Sequence, residues 1–468
     1  MKTLHIILLL LLLLLAMLTA PARADESAPS LPANADAYVI RHVNVLDVAQ
    51  QLVLPDQRVW IDNQLITRIE PDTSPVETSV RQVQGHNGYL TPGLMDMHMH
   101  AWDPAAFAIN LSYGITHVRI MNGVPQHLVW RQQLADLSRF GSTVTVSSPI
   151  LSGYQDTPLH RYIGSREQAR EAVASAASLG YDLLKIYGSL GAEGYAWVRE
   201  FADKAGIAIA KHGPHPAGLQ AGHDHSADWS SLRGLQSLEH VEDIFQGPLN
   251  HLQDADKLTQ TIQALADLQV PVTPTLAIYQ QLTRISAEKD EFIDSMPKEY
   301  ISPLVAWFDS HNQVQRWLDA PIEVAEHNRQ TLAYLLEITT RLHQAGVPIL
   351  AGSDAGVLLS PHGQSLHQEL ALLRQAGLSE FEVLRTATLN PARSLGKAKE
   401  LGQIKAGLRA DMIYTRANPL DDLSLLSHPE AVIKQGQWFD ANALKQQRRQ
   451  AIAHRSLFDE ATLLLSNM

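Results

Sequence analysis

Eight short apolar segments recur along the central part of the chain, and longer helical patterns separate them. The segments resemble buried strands, whereas stretches such as SREQAREAVASAASLG have the wider apolar spacing of helices and end at Gly. The eight segments span residues 94–100, 114–120, 142–149, 182–188, 207–213, 235–241, 270–277 and 348–356. Eight successive βα units predict an α/β fold, a (β/α)8 TIM barrel over residues 91–398, with functional side chains at the carboxyl ends of the strands.

Two further β-rich regions flank this predicted barrel. Residues 37–90 and 399–440 contain short alternating runs such as YVIRHVNVLD and AVIKQGQWFD, separated by Pro, Asp and Asn. Since neither region can bury a face alone, we expect the two to combine into one small β-sandwich. Residues 283–325 are longer than a βα loop requires and predict a helical insertion, and residues 441–468 predict a C-terminal helical tail.

The first 24 residues have the pattern of a secretory signal peptide. Lys2 precedes a 13-residue apolar run from Ile6 to Leu18, and an A-x-A site ends at Ala24. An uncleaved anchor is the alternative, but a bilayer span needs about 20 apolar residues. We therefore expect cleavage between Ala24 and Asp25 and a secreted or periplasmic product without a stable membrane anchor.

Composition excludes several classes of partner and site. The chain has 37 Lys and Arg against 49 Asp and Glu, for a net charge of −12, which argues against nucleic-acid binding. It has no Cys, so disulfides, thiolate metal sites and a Cys nucleophile are excluded. Any metal must be held by nitrogen or oxygen ligands, and the 21 His make such a site the first hypothesis to consider.

Two histidines end the first predicted barrel strand. His98 and His100 are two residues apart, so in a strand they share one face and can reach the same metal ion. His223 and His225 have the same spacing but lie in a Gly- and Ser-rich loop, so we expect their side chains to be solvated. Because of its position at a strand end, the first pair is interpreted as metal ligands rather than as core histidines.

Lys185 lies inside an apolar strand and on the face that should point into the barrel. Burial favours the neutral amine of lysine, and a neutral amine can react with CO2 to form an anionic carbamate that bridges two cations. The alternative is a lysine whose stem is buried while its ammonium reaches water at the barrel mouth. Spacing alone does not distinguish the two.

Three more polar residues end predicted strands five, six and eight. His212 closes IAIAKH, His240 closes LQSLEH, and Asp354 follows ILAGS. A single histidine there can equally be a packing residue, and Asp354 can equally cap the next helix. The convergence of six such residues at strand ends nevertheless predicts one metal site with a carboxylate base.

Together these motifs resemble a known family. TPGLMDMHMH, DLLKIY, SLEH, AGSDAG, NPAR and GLRADMI occur in the order seen in the amidohydrolase superfamily, in its imidazolonepropionase-like and Xaa-Pro-dipeptidase-like branch. The chain departs from that branch at Lys211, where a small residue is commoner, and at His117, where Thr is commoner. Neither departure affects a predicted ligand.

The resemblance implies a binuclear metal centre, most often of zinc. His98, His100 and Asp354 would hold one ion, His212 and His240 the other, and N6-carboxylated Lys185 would bridge them. A hydroxide bridging the ions would attack a polarised carbonyl, and Asp354, the catalytic residue, would transfer its proton to the leaving nitrogen. Tyr187 would bind the substrate or merely line the pocket, and His362 is a second candidate for substrate binding.

Three functional hypotheses follow. The favoured one is an exported metal-dependent hydrolase of a small peptide-like or N-acyl amide, such as a dipeptide or Xaa-Pro substrate. The second is a hydrolase of a cyclic amide, a lactone or another ester on the same centre, since these reactions share carbonyl chemistry. The third is a non-catalytic binding protein. The sequence identifies neither the substrate nor the native metal, and it is compatible with a homo-oligomer.

Overall fold

The computed structural model describes residues 37–75, 79–155, 157, 159–213, 229–311 and 313–465. Its strands are β1 (Tyr38–Asp47), β2 (Leu52–Asp62), β3 (Leu65–Pro71), β4 (Arg81–Gln84), β5 (Tyr89–Pro92), β6 (Leu94–Met99), β7 (Ile115–Ile120), β8 (Thr143–Ser152), β9 (His160–Tyr162), β10 (Leu183–Ile186), β11 (Ala208–His212), β12 (Ser237–Glu239), β13 (Val272–Thr273), β14 (Met412–Thr415), β15 (Ala431–Lys434) and β16 (Gln437–Asp440). The predicted signal peptide and most of the His-rich loop, residues 214–228 with His223 and His225, lie outside the described residues.

Helices follow most of the barrel strands. They are α1 (Ala105–Ser112), α2 (Pro125–Ala135), α3 (Arg166–Leu179), α4 (Ala192–Ala205), α5 (Glu242–Gln246), α6 (Ala255–Leu268), α7 (Leu276–Ser295), α8 (Pro303–Ser310), α9 (Gln313–Leu318), α10 (Ile322–Gln344), α11 (Gln364–Gln375), α12 (Glu380–Thr386), α13 (Leu389–Ser394), α14 (Ala441–Ala453) and α15 (Leu457–Leu465). Several have the capping signals that their sequences contain: Ser165 accepts a hydrogen bond at the start of α3, and Gly180 ends it in a left-handed conformation.

The two regions that flank the barrel form one sheet, as their alternating segments predict. Its order is β16-β15-β14-β5-β1-β2-β3, with β4 beside β1, and the two regions meet where β5 pairs antiparallel with β14. The backbone N–H of Ile66 in β3 donates to the carbonyl of Leu408, 2.8 Å away, just before β14. The sheet thereby encloses a small apolar core that includes Ile40, Val59 and Met412.

The second sheet is the barrel, whose strands run parallel in the order β6-β7-β8-β10-β11-β12-β13. The eighth predicted strand is an extended segment that closes the barrel through single bridges, Val272 to Ile349 and Met99 to Ala355. The (β/α)8 prediction is therefore confirmed for the architecture, although this last segment is less regular than a full strand.

Side chains of β10 divide between the two faces of the barrel wall as their alternation predicts. Leu184 and Ile186 join the large core between the strands and the helices. Leu183 instead packs with Met121 and Ala210 in a separate interior cluster, and Lys185 is buried on that same side of the strand. The alternation thus directs the lysine into the barrel.

Residues 283–325 are mainly helical and lie near the carboxyl end of the barrel. Their α8 helix supplies Asp309, whose carboxylate accepts a hydrogen bond from the backbone N–H of Leu359, 3.3 Å away in the segment after Asp354. At the start of α8, Ser302 donates to Glu460 of α15 at 2.6 Å. The C-terminal helix α15 therefore contacts the start of α8. None of the helices in the described part of the chain is both long and apolar enough to cross a bilayer.

Candidate metal centre

Three predicted ligands from the two ends of the barrel sequence lie together. His98 and His100, at the end of β6, and Asp354, in the closing segment, each offer a ligand atom within 4.8 Å of the others. Nε2 of His100 lies 3.0 Å from Oδ1 of Asp354, and Nε2 of His98 lies 3.6 Å from the same oxygen. Two imidazoles and one carboxylate at these distances can hold one divalent cation.

The other two predicted histidines continue this cluster along the barrel mouth. The ring of His240 lies 4.5 Å from the ring of His98, and the ring of His212 lies 4.3 Å from that of His240. β10 pairs with β11 so that Lys185 is opposite Ala210, two residues before His212. The strand order therefore brings the six predicted groups to one end of the barrel.

Lys185 has the properties expected of a reactive lysine. Its Nζ is buried, and the described residues provide it with no hydrogen-bond partner. Burial lowers the pKa of Lys185 to about 8, although the carboxylates of Glu239 and Asp354 oppose this shift. About a tenth of the amine is consequently neutral at pH 7, far more than for an exposed lysine. An unpaired, buried amine among histidines and a carboxylate fits a carbamate that bridges two cations.

Each of three histidines has one ring nitrogen engaged by an acceptor in the protein. Nδ1 of His98 contacts Glu239 at 2.7 Å, Nδ1 of His212 contacts Asp243 at 2.9 Å, and Nδ1 of His240 contacts Thr275 at 2.7 Å. These contacts assign the proton to Nδ1, so Nε2 is the ring nitrogen that could bind a metal ion. The donor set thus fits a metal centre with supported ligands.

The protonation states also suit metal binding. Burial holds the pKa values of His98 and His240 well below the ordinary value, so both rings are neutral at physiological pH. Burial by itself would raise the pKa of Asp354, but His98 and His100 outweigh it and lower that pKa below its usual range. Neutral imidazoles beside an ionised carboxylate are the ligand forms that a divalent cation needs.

The backbone is unusual at three residues of the site. His240, Thr275 and Asp354 have φ values of 66°, 52° and 53°, in the left-handed region that non-glycine residues seldom adopt. The alternative interpretation of Asp354 as a helix cap does not apply, because α11 begins ten residues later and has Gly363 at its N-cap. The positive φ instead turns Asp354 toward the histidines.

Aromatic side chains form the walls of the site. The ring of Tyr187 lies 4.4 Å from His212 and 5.3 Å from His160, and Trp102 stacks on His100 at 6.5 Å. Burial raises the pKa of Tyr187 to about 12, so its phenol keeps its proton and remains a donor at neutral pH. These contacts put Tyr187 beside the predicted ligands, where it can reach a substrate.

His362 is completely buried, and its Nδ1 has no hydrogen-bond partner among the described residues. Burial lowers the pKa of His362 to about 3, with Arg455 and His100 adding to the effect. A Cβ placed at Gly356 would lie 3.2 Å from Cε1 of His362 and 2.0 Å from the carbonyl oxygen of His100, so glycine permits this close approach. His362 is thus close to the His100 side of the cluster.

The two departures from the family pattern do not contribute to the cluster. Nζ of Lys211 donates to the carbonyl of His212 at 2.8 Å and lies 5.2 Å from the ring of Tyr195 in α4, so it belongs to the layer between strand and helix. His117 lies lower in the barrel, where its ring nitrogens contact the hydroxyls of Thr143 and Thr145.

Sequence reasoning missed the residues that support the ligands. Glu239, Asp243 and Thr275 are the acceptors for the histidines, and Arg119 pairs with Glu239 at 2.7 Å. A charged residue within an apolar strand was a usable signal for Arg119 and Glu239, as it was for Lys185. Thr275 and Asp243 had no comparable signal, because both lie beyond their strands.

The model of the amidohydrolase family matches residues 89–439, three quarters of the chain. The chain belongs to the amidohydrolase family. Membership agrees with the resemblance seen in its motifs. Imidazolonepropionase of Thermoplasma acidophilum is 27% identical over 154 residues, which cover 31% of this chain and 36% of that relative, so the match spans only about a third of the relative's length.

Solved structures share the whole architecture. A bottromycin amidohydrolase superposes with a TM-score of 0.71 at 22% identity, covering 89% of this chain and 90% of that protein. A Xaa-Pro dipeptidase with methionine bound in its active site has a TM-score of 0.65 at 18% identity, covering 86% and 100%. At these identities the likeness establishes the fold of the amidohydrolase, and the substrate is a separate question.

Proposed function

We propose that this amidohydrolase is an exported, binuclear metal-dependent enzyme that cleaves a peptide-like or N-acyl amide. The observation that carries the proposal is the unpaired, buried amine of Lys185 at the same end of the barrel as four histidines and Asp354. A structural lysine would be expected to have an acceptor for its ammonium, because a buried charge without one is costly. A lysine that becomes a metal-bridging carbamate has no such need.

His98, His100 and Asp354 would hold one ion, and His212 and His240 would hold the second. N6-carboxylated Lys185 would be shared between them. Zinc is proposed because imidazole and carboxylate are common zinc ligands. When bound, two such ions supply the Lewis acidity that polarises a carbonyl and makes water acidic near neutral pH.

The residues of the chain then supply binding and proton transfer. Asp354 is ionised because its pKa is low, and it accepts the proton of the attacking water and delivers it to the leaving nitrogen. The phenol of Tyr187 donates to the substrate carbonyl or to a substrate carboxylate. His362 lines the pocket on the side of His100. The α8 helix, fastened by Asp309, limits the access of water.

Export is part of the proposal. It rests on residues 1–24, whose short apolar run and A-x-A site are typical of a signal peptide. A secreted or periplasmic location would supply small peptides and acyl amides as substrates. Expression in a bacterial host, followed by fractionation and determination of the N-terminal residue, tests it: we expect a periplasmic protein that begins at Asp25.

The test of function is a screen for released amine. The zinc-loaded protein is offered dipeptides, including Xaa-Pro pairs, and N-acyl amino acids, with a chelated sample and Asp354→Asn as controls. We expect release that both controls abolish. Turnover only of lactones or cyclic amides would favour the second hypothesis. Binding of these compounds without turnover of any of them, by a protein that retains two metal ions, would contradict an enzymatic role.

A further inference from the structure

A charged pair crosses the interior of the barrel directly beneath the metal ligands. Arg119 comes from β7 and Glu239 from β12, and both are fully buried. Nη2 of Arg119 donates to Oε1 of Glu239 at 2.7 Å, while its Nε donates to the carbonyl of Met97 at 2.6 Å. Its Nη1 donates to the hydroxyl of Ser237 at 2.8 Å. All three guanidinium nitrogens of Arg119 therefore donate hydrogen bonds.

Glu239 is held just as firmly and connects to the ligands of both proposed ions. Its Oε1 accepts from Arg119 and from the hydroxyl of Ser237, so Oε2 remains available for another donor. That donor is Nδ1 of His98, 2.7 Å away. Glu239 also directly precedes His240 in the chain, so its position affects the backbone that presents the second histidine.

Such a pair has no obvious value for stability alone. Two charges removed from water pay a desolvation penalty that their attraction often fails to exceed, and apolar residues of the same volume can serve a core equally well. Its geometry does have a consequence at His98. An ionised Oε2 accepts only a proton-bearing Nδ1, and this leaves the lone pair on Nε2, 3.6 Å from Asp354.

We propose that Arg119 and Glu239 are positioning residues that keep His98 in the tautomer and orientation required of a metal ligand. The inference rests on the proposed metal centre and specifies what sets its affinity. Arg119 orients Glu239, Glu239 orients His98, and His98 then binds through Nε2. Loss of supports of this kind lowers metal affinity by about 10- to 100-fold.

Glu239→Gln is the sharpest variant because it keeps the size of the side chain. Arg119 and Ser237 donate toward Oε1, so they select the amide oxygen of Gln for that position. The amide NH2 must then face Nδ1 of His98. This arrangement favours the tautomer whose proton is on Nε2, the nitrogen required for the metal. Arg119→Lys and Arg119→Met weaken the support that Arg119 gives to Glu239 while preserving much of the side-chain volume.

A second buried pair in the chain provides a matched control. Nζ of Lys434 lies 3.1 Å from Oδ2 of Asp411 and also donates to the carbonyl of Thr116 at 2.9 Å. It contacts Thr143 as well, at the end of the barrel where β7 and β8 begin. Lys434→Met breaks a buried charged pair without touching a predicted ligand, so it measures the effect of lost stability alone.

The experiment measures the Kd for Zn2+ by competition with a chromophoric chelator, without substrate, together with the Tm of each metal-free protein. We expect Glu239→Gln to raise the Kd for Zn2+ at one of the two sites about 10- to 100-fold. Arg119→Met should raise it by a similar factor, and Arg119→Lys by a smaller one. Lys434→Met should lower Tm and leave both Kd values as in the wild type.

Wild-type Kd values in Glu239→Gln and Arg119→Lys, with or without a lower Tm, would overturn the positioning role and assign the pair to stability. The same holds if Lys434→Met weakens zinc binding as much as Glu239→Gln does, because the effect would then be general. Failure of the wild type itself to bind zinc or another divalent ion would instead overturn the proposed function from which the inference starts.

Discussion

Nε2 of His100 lies 3.0 Å from Oδ1 of Asp354, across 254 residues of sequence. The contact joins the first barrel strand to the segment that closes the barrel. Backbone bonds support it on both sides, since the N–H of Asp354 donates to the carbonyl of His98 at 2.7 Å and the N–H of His100 donates to that of Ala355 at 2.8 Å. Closure of the barrel and assembly of the centre are therefore the same structural event.

Gly352→Ala should disturb both the closure of the barrel and the assembly of the proposed metal centre. A Cβ at this position would lie 2.5 Å from Cγ2 of Thr273 and 2.9 Å from Cβ of His98, so the closing segment must move away from β6. We expect a loss of about 1–3 kcal/mol in the free energy of unfolding, together with weaker metal binding. Urea denaturation and metal analysis measure the two effects.

Gly191→Ala is the matched control for that substitution. Nothing lies within 4 Å of a Cβ at this residue, which precedes α4 with an ordinary φ of −60°. Because Gly191 is the N-cap of α4, the substitution should lower the free energy of unfolding by less than about 1 kcal/mol and leave metal binding unchanged. If Gly352→Ala also behaved as the wild type, close contact between the closing segment and β6 would not be needed for the centre.

Asp354→Asn should reduce turnover by about 10²- to 10⁴-fold, because the amide cannot accept the proton that hydrolysis generates. The size of the side chain is retained, and the residue does not cap a helix, so Tm of the metal-free protein should change little. Steady-state kinetics and thermal unfolding of the same preparation provide the comparison. Normal turnover with a large drop in Tm would assign Asp354 a purely structural role.

Tyr187→Phe should show whether Tyr187 donates a hydrogen bond to the substrate or only lines the pocket. If the phenol donates to the substrate, its loss should lower kcat/KM by about 10²-fold while leaving the metal content unchanged. Tyr195→Phe serves as the control, because that hydroxyl donates to the carbonyl of Ser231 on the outer side of the barrel. Equal activity of both variants would mean that Tyr187 only lines the pocket.

Glu369 should make stability depend on pH. Burial raises its pKa to about 8 in the folded protein, above the ordinary value of 4.5. Between these values the folded state retains a proton that the unfolded state releases, so the free energy of unfolding should fall as pH rises, by about 1.4 kcal/mol per pH unit. This contribution is complete below pH 4.5 and is lost by about pH 8.

Glu369→Gln removes the titration but can still accept from the backbone N–H of Ala277. The unfolding free energy of the wild type should therefore fall relative to that of the variant by about 2–3 kcal/mol from pH 5.5 to pH 7.5 in urea titrations. A difference that does not vary with pH would mean that Glu369 is ionised in the folded state.

The architecture and the positions of the proposed ligands were predictable because each leaves a local trace in the sequence. Alternation within a strand puts His98 and His100 on one face, and the same rule turns Lys185 inward. Parallel strands in a barrel bring their carboxyl ends to one mouth, so the remaining ligands follow from position alone. The regularity of the eighth strand was overestimated, because the positive φ of Asp354 interrupts the extended segment, which pairs with its neighbours only through single bridges.

The supporting residues could not be assigned in the same way. The partner of Glu239 in the barrel is Arg119, 120 residues earlier, and that distance in sequence carries no pairing signal. Thr275 accepts from His240 only because its own φ of 52° turns it back toward the strand. The residues that would set substrate specificity are equally hard to predict, since the contact between Tyr187 and His160 depends on how separate segments fold together.

The most direct test of the binuclear centre is the number of metal ions bound per chain, measured by elemental analysis after reconstitution with zinc in bicarbonate buffer. We expect two ions for the wild type, and fewer than one for Lys185→Ala, because the variant lacks the bridging group and loses activity with the metal. Two ions and wild-type activity in Lys185→Ala would contradict the bridging role of Lys185 and the centre built around it.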